Sequence, residues 1–437
     1  MCCTLPRPRR FIRKACRYWR GLPGVSGPAW IRGALDDMAD STYVVKRRLD
    51  RTPLWNKAGP RLGQLDVELT ERCNNDCLHC CINLPANDAQ ALAREMTTEQ
   101  IEGLLRQAAD LGCLQVRFTG GEPLLRSDFQ ELYIFARRLG LKVLLFTNAC
   151  LVTPGLADLF GRMPPLAQIE ITVYGMHRES YEAVTRSPGS FTRFQRGIEL
   201  LLARHVPFVV KWVILPQNKQ EIPEFEAWAA TLPGMAGRLP SYVVTLDLRN
   251  RRGDKERDAL IRSLRLTPQE SLAILARDDV KYKQSMKEFA SQFLGPSGEK
   301  LFTCGAGCSL CIDAYGRIQP CMGVRAPEWT LRAAAAPGGP SPSGGLRDAL
   351  RRFSSLSDLR AAHREYLRRC ARCFLKGVCE QCPAKSWAEH GTLDTPVEYL
   401  CEIAHAQARY IGWLDPNEYG WEVMNWRERI NRQHSAE

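Results

Sequence analysis

Between Gln64 and Leu239, short runs with strand character alternate with segments whose apolar residues recur at helical spacing, and no other feature limits the fold as much. LDVELT (65–70), LQVRFTG (114–120), KVLLFTN (142–148), AQIEITVYG (167–175) and FVVKWVIL (208–215) read as strands, with YVVTLDL (242–248) as a sixth. TTEQIEGLLRQAADLG (97–112) reads as a helix capped by Thr97 or Thr98, and FQELYIFARRLG (129–140) as one closed by Gly140. About six β/α units imply a parallel sheet with helices outside it, either doubly wound or closed as a barrel. Both architectures gather their chemistry at the C-terminal ends of the strands. Here those ends carry a cysteine-rich loop after Thr70, then Gly120–Pro123, Asn148, Tyr174–Gly175 and Asp247. Past residue 250 the pattern turns helical. From Cys304 onward cysteine dominates, interrupted by the low-complexity stretch AAAAPGGPSPSGG (333–345), which has no means of packing a core.

The 437 residues are 45% hydrophobic and 25% charged, the make-up of a folded chain with more than one small core. No apolar run reaches the length of a membrane span. Most of the net charge of +12 lies in residues 1–60, where 13 Lys/Arg face 4 Asp/Glu, a net of +9. That basic arm lacks the apolar segment of a secretory signal. It reads as a solvated tail, or as a contact for an acidic partner or a membrane face. The rest of the chain is nearly neutral, and no nucleic-acid partner is expected. Eighteen cysteines without an export signal, in tight clusters, point to metal ligands in a reducing cytoplasm rather than to disulfides.

The first cluster, ERCNNDCLHCC (71–81), places Cys73, Cys77 and Cys80 in a C-x3-C-x2-C pattern, with Cys81 a bystander. Three thiolates on a short loop suit three corners of a cubane iron–sulfur cluster with the fourth iron open. Structural zinc favours four ligands in two pairs. The spacing alone leaves both readings open.

This loop together with FTGGEPLL (118–125) resembles the radical SAM superfamily, whose cysteine loop follows the first barrel strand and whose GGE-type motif ends the second. The position usually aromatic in that loop is His79 here. The resemblance implies a partial (β/α)6 TIM-type barrel, with Cys73, Cys77 and Cys80 binding a [4Fe–4S] cluster whose open iron chelates S-adenosylmethionine. It implies cofactor contacts at Gly120, Gly121, Glu122 and Pro123, with the glycines letting backbone approach the methionine amine and Glu122 positioning that region. FTNA (146–149) and ITVYGMHRESYEAVTRSPGSF (171–191) match more loosely. They add Asn148, Thr172 or Tyr174 towards the ribose, and Arg186 towards the methionine carboxylate. Lys211 either faces the barrel lumen or points to solvent.

The second set holds Cys304, Cys308, Cys311 and Cys321, then Cys370, Cys373, Cys379 and Cys382, then Cys401. Nine thiols exceed the ligands of one ion, and two zinc ribbons are the bland alternative. The spacing resembles the small cysteine-rich SPASM extension of radical SAM enzymes, except that Cys379-x2-Cys382 is one residue short. The resemblance implies two auxiliary [4Fe–4S] clusters. The nearer would use Cys304, Cys311, Cys321 and Cys382, with Cys308 as the rival of Cys311. The farther would use Cys370, Cys373, Cys379 and Cys401. Cys2, Cys3, Cys16, Cys113 and Cys150 read as ordinary thiols.

The implied organisation is a basic arm (1–60), a radical SAM core (61–290) and a SPASM region with C-terminal helices (291–437). The implied activity is reductive cleavage of S-adenosylmethionine to a 5′-deoxyadenosyl radical, which modifies a peptide or protein by hydrogen abstraction, leaving a crosslink or an oxidised side chain. It needs an external one-electron reductant. No leader-recognition segment of the usual size is visible, so a peptide substrate needs a separate leader-binding protein or a leaderless dock. The alternatives are the same chemistry on a small molecule, such as a tetrapyrrole side chain or a sugar, and a non-enzymatic metal scaffold that would leave GGEP without purpose.

Overall fold

Strand alternation is visible in which side chains are buried together. In β1 (Gln64–Thr70), Leu65, Val67 and Leu69 join an apolar core with Ile101, Leu104, Leu105 and Ala108 of the helix Thr98–Asp110. Asp66 and Glu68 point the other way, into the lumen. The same period runs through β2 (Gln115–Gly120), β3 (Lys142–Thr147), β4 (Leu166–Val173) and β5 (Val209–Val213). Val116, Phe118, Val143, Leu145, Ile169, Ile171, Val210 and Trp212 enter the outer core. The helix Thr98–Asp110 starts with a reciprocal cap, in which Thr97 accepts from the Gln100 amide and the Gln100 side chain accepts from the Thr97 amide.

The computed structural model describes residues 61–249, 253–291, 293–301, 307–332 and 345–435. The basic arm with Cys2, Cys3 and Cys16, the ligand candidate Cys304 and nearly all of the low-complexity stretch lie outside the described residues. Among the described residues, no helix is long and apolar enough to cross a membrane.

β1 to β5 and the short β6 (Ser241–Val243) pair in parallel, each with the next in sequence. This is the open six-stranded parallel arc of a partial barrel. The sixth strand ends earlier than its sequence suggests. The chain leaves the sheet after Val243, Leu246 and Leu248 pack into a small side core, and Asp247 pairs with Lys385 at 2.5 Å.

The cysteine-rich region does not sit wholly apart from the barrel. β7 (Ser309–Ile312) adds in parallel to the free side of β1, and β8 (Arg317–Gln319) and β9 (Leu331–Arg332) follow antiparallel. The sheet order is therefore β9-β8-β7-β1-β2-β3-β4-β5-β6. The helix Gly345–Ser354 supplies Leu346, Ala349, Leu350 and Phe353 to the barrel core. A second core of Phe374, Leu375, Ala404, Ile411 and Trp413 lies further on, with Trp426 stacked on Phe374.

Candidate active site

The loop after β1 is held by side chains from distant segments. Arg249 is buried and donates to the Cys80 carbonyl at 3.2 Å, to Asn83 Oδ1 at 2.7 Å and to the Asn83 carbonyl at 3.0 Å. Arg257 donates to Asp76 Oδ1 at 2.5 Å, and Arg186 to the Asp76 carbonyl at 3.0 Å and to its carboxylate. Arg72, within the loop's stem, pairs with the buried Glu95 at 2.9 Å. Several guanidiniums thus fix a loop whose own regular pairing, among the described residues, is the two-residue match of Arg72–Cys73 with Leu84–Pro85.

So held, the loop forms one wall of a cavity of about 170 Å³ at the C-terminal end of the parallel strands. Cys73, Cys77, His79 and Cys80 line it, facing Gly120, Gly121, Glu122, Asn148, Thr172, Tyr174 and Lys211. Two of the sulfurs take backbone donors, Cys73 from the Asn75 amide and Cys80 from the Asn83 amide, both at 3.4 Å. Burial, followed by the neighbouring thiols, pushes Cys77 well above its ordinary range, and burial with the Glu122 charge does the same to Cys73. Thiols in such a place ionise only where a cation takes up their charge. Among the described residues, no three Cys, His, Asp or Glu side chains converge as the ligands of one ion would. Thiolates that carry a cluster bind different irons and stand apart. The donor set fits a thiolate-held cluster.

Glu122 is fully buried and accepts from the Asn148 amide (2.8 Å), the Leu124 amide (3.1 Å) and the Thr147 hydroxyl (2.8 Å). It ties the end of β2 to the end of β3, although burial still lifts its pKa to about 7. Asn148 reaches across to Asn74 at 2.9 Å. The glycines answer a demand within the chain itself. A Cβ on Gly120, whose φ is +132°, would stand 2.1 Å from the Thr70 carbonyl oxygen, and one on Gly121 2.2 Å from that of Arg72. Pro123 is buried and starts a short 3-10 turn beside the cavity rather than lining it. Arg186 is likewise turned to Asp76 instead of the cavity.

Lys211 faces the lumen, paired with Glu170 at 2.6 Å and lying 4.0 Å from the centre of the Phe146 ring. His79 sits against Tyr174, with its buried Nδ1 lacking a hydrogen-bond partner, and burial pulls its pKa down to about 4.

In the C-terminal layer, Cys370, Cys373, Cys379 and Cys401 lie close enough to repel one another as thiolates. Burial first and the neighbouring thiols second push Cys370 and Cys401 up to about 12 and Cys379 well above its usual range. His405 receives the Gly420 amide on Nε2 at 3.0 Å, so Nδ1 carries its proton towards the Cys401 carbonyl (2.8 Å) and sulfur (3.6 Å). Cys311 is fully buried on β7, whereas Cys308 is exposed. Cys321 accepts from the Val324 amide at 3.4 Å, and Cys382 stands immediately before the helix Pro383–His390. Cys321 adjoins that helix, because a Cβ on Gly323 would stand 2.7 Å from Ala384 Cβ and 4.0 Å from Cys321 Sγ. Cys113 and Cys150 are buried and donate to carbonyls of Gln115 and Ser190.

Sequence reasoning missed Arg249 and Arg257. Both lie in or beside the basic run RNRRGDKER, where nothing separates a clamp from a solvated arginine.

Residues 67–229 match the sequence profile of the Radical SAM superfamily. The chain is 25% identical over 348 residues to the AdoMet-dependent heme synthase of Methanosarcina barkeri, covering 76% of this chain and 93% of that one. It is 33% identical over 173 residues to the PqqA peptide cyclase of Gluconobacter oxydans, covering 40% and 47% respectively. Its fold resembles that of anSMEcpe, solved with bound AdoMet and the Cp18Cys peptide, with a TM-score of 0.53 at 17% identity, over 80% of this chain and 97% of that one.

Proposed function

Because the chain belongs to the radical SAM superfamily, we propose that it cleaves S-adenosylmethionine reductively and modifies a peptide or protein by hydrogen abstraction. The observation that carries this reading is the convergence of Cys73, Cys77 and Cys80 with Gly120–Glu122 on one cavity at the strand ends. Those three thiols would hold the [4Fe–4S] cluster, which when bound supplies the electron that breaks the sulfonium and releases a 5′-deoxyadenosyl radical. The protein's own residues do the rest. The Asn75 and Asn83 amides compensate thiolate charge, and Glu122 locks the ends of β2 and β3. The Arg186, Arg249 and Arg257 clamps hold the loop still, and the barrel wall keeps water from the reacting centre. Gly120, Gly121, Glu122, Asn148 and Thr172 contact S-adenosylmethionine in this reading, with Pro123 and Arg186 shaping their surroundings.

Two auxiliary [4Fe–4S] clusters complete it, the nearer on Cys304, Cys311, Cys321 and Cys382, the farther on Cys370, Cys373, Cys379 and Cys401. The arm (1–60), core (61–290) and auxiliary region (291–437) then work together in the cytoplasm, with an external one-electron reductant and a separate leader-binding protein.

A second reading rests on the heme synthase likeness, which spans most of both chains. In that reading the substrate is a tetrapyrrole side chain. The test is to give reconstituted protein S-adenosylmethionine and dithionite, together with either a peptide encoded beside the gene or a carboxylate-bearing porphyrin. Faster 5′-deoxyadenosine release and a mass change in the peptide are expected. Stimulation by the porphyrin alone would overturn the peptide reading.

A further inference from the structure

Residues 360–372, in the C-terminal layer, hold five arginines and one acid, Glu365, a net of +4. The rest of the chain beyond residue 60 holds 42 Lys/Arg and 43 Asp/Glu, so the body's positive charge is concentrated in this one segment. A short π-helical turn, Tyr366–Cys370, forms its centre. The inner face of the turn is fixed. Tyr366 and Ala371 are buried with Leu301 and Ala361, and the Tyr366 hydroxyl donates to the Lys300 carbonyl at 2.6 Å. Arg364, Leu367, Arg368 and Arg372 are turned outwards, and all four are exposed. Arg369 is held by Glu365 at 3.4 Å and by Glu398, and Arg360 by Glu299 at 2.6 Å. Among the described residues, Arg364 and Arg372 have no ion pair, and Arg368 has only Glu365 at 3.8 Å, with 71% of its side chain exposed. Like charges four residues apart work against a helical turn. The outward stripe therefore does not serve the turn's own stability.

We propose that Arg364, Arg368 and Arg372, with Leu367 among them, form the docking surface for an acidic one-electron carrier protein. This rests on the reading that the chain is a radical enzyme fed by an external reductant. Three observations choose the partner. The guanidiniums without ion pairs present charge that an anionic surface complements, and their planar forks suit carboxylates. Leu367, 38% exposed, gives the patch an apolar centre inside a charged rim, the make-up of a protein interface rather than of a site for a phosphate backbone. Cys370 belongs to the same turn and Cys373 follows it, both partly buried, so a carrier seated on the stripe sits beside the thiols of the layer.

The test measures binding of the reconstituted full chain to an acidic flavodoxin at low and high salt. Beside it, 5′-deoxyadenosine release is driven either by that flavodoxin, already reduced, or by dithionite. Arg364→Glu with Arg368→Glu should weaken binding about tenfold at low salt and slow flavodoxin-driven release by a similar factor. The loss should fade near 1 M salt, where charges are screened beyond about 3 Å. Dithionite-driven release should stay at the parent rate, which also shows that the variant is folded. Leu367→Ser should weaken binding without changing its salt dependence. Arg347→Glu with Arg351→Glu makes the same charge change on the exposed side of the helix Gly345–Ser354, and should bind like the parent. No flavodoxin binding by the parent, unchanged binding by the first pair, or an equal loss in the Arg347 and Arg351 pair would overturn the proposal. So would a first pair that loses binding to a DNA duplex or to phosphatidylserine vesicles while flavodoxin binding stays intact. Should the first pair lose dithionite-driven release, Arg364→Gln with Arg368→Gln decides, weaker binding supporting the proposal and unchanged binding overturning it. No dithionite-driven release by the parent would instead remove the underlying reading, and the binding comparison would still decide the docking surface.

Discussion

In the barrel, Cys73, Cys77 and Cys80 hang on a loop beside a core made without them, where Phe118, Phe129, Tyr133 and Phe160 pack edge-to-face or stacked. In the C-terminal layer, Cys373 and Cys379 pack directly against the core of Phe374, Leu375 and Trp413. A Cβ on Gly420 there would stand 2.8 Å from Cys373 Sγ. In the proposed reading, the first region would keep its shape on losing its cluster, because its core is made without those thiols. The second has thiols among its packing units, so in the same reading ligation would contribute folding free energy that its small core does not supply.

The largest effect that would break this contrast is on chemistry. Cys73→Ala, Cys77→Ala and Cys80→Ala together should abolish 5′-deoxyadenosine release with dithionite, and lower iron from about twelve to about eight per chain. Thermal unfolding of the barrel should stay put. Unchanged release would mean that cleavage occurs elsewhere.

Next in size, Cys370→Ala with Cys373→Ala should spare release of 5′-deoxyadenosine, suppress product and strip hydrogen-exchange protection from residues 366–414. A layer that stays protected without those thiols would show that its core suffices alone.

Two glycines sharpen the comparison. Gly121→Ala drives a Cβ onto a backbone carbonyl that cannot yield, and should cost most of the cleavage activity. Gly420→Ala meets the side chains of Cys373 and Leu375, and should spare cleavage while lowering iron by about four. The smallest difference expected is between Phe129→Ala and Trp413→Ala. Each should cost about 3–5 kcal/mol. Hydrogen exchange should report the first as loss across the barrel and the second as loss confined to the layer.

The six-stranded arc was legible because alternation and strand-end residues are local signals. The Thr97 cap and the cysteine loop were legible for the same reason. The early end of β6 was not, since YVVTLDL continues the strand pattern while Asp247 is drawn off by Lys385. Nor was the pairing of Ser309–Ile312 with β1, because a four-residue run carries no record of its partner. The guanidinium of Arg325 reaches Glu68 only through that pairing, so its place was equally hidden. The glycine motif was visible as a pattern, whereas its close approach to the Thr70 and Arg72 carbonyls of the same chain was not.

The parallel junction of β1 with β7 also bears on how the chain reaches its fold. β1 meets β2 soon after both are made, but its other side waits from Gln64 until Ser309 emerges. A ribosome working from the N-terminus therefore completes six strands while one row of β1 amides and carbonyls has no partner. Such long-range closure is slow, and an open strand edge invites pairing with other chains. A fragment cut at residue 290 would carry that edge permanently, and should aggregate where the full chain does not.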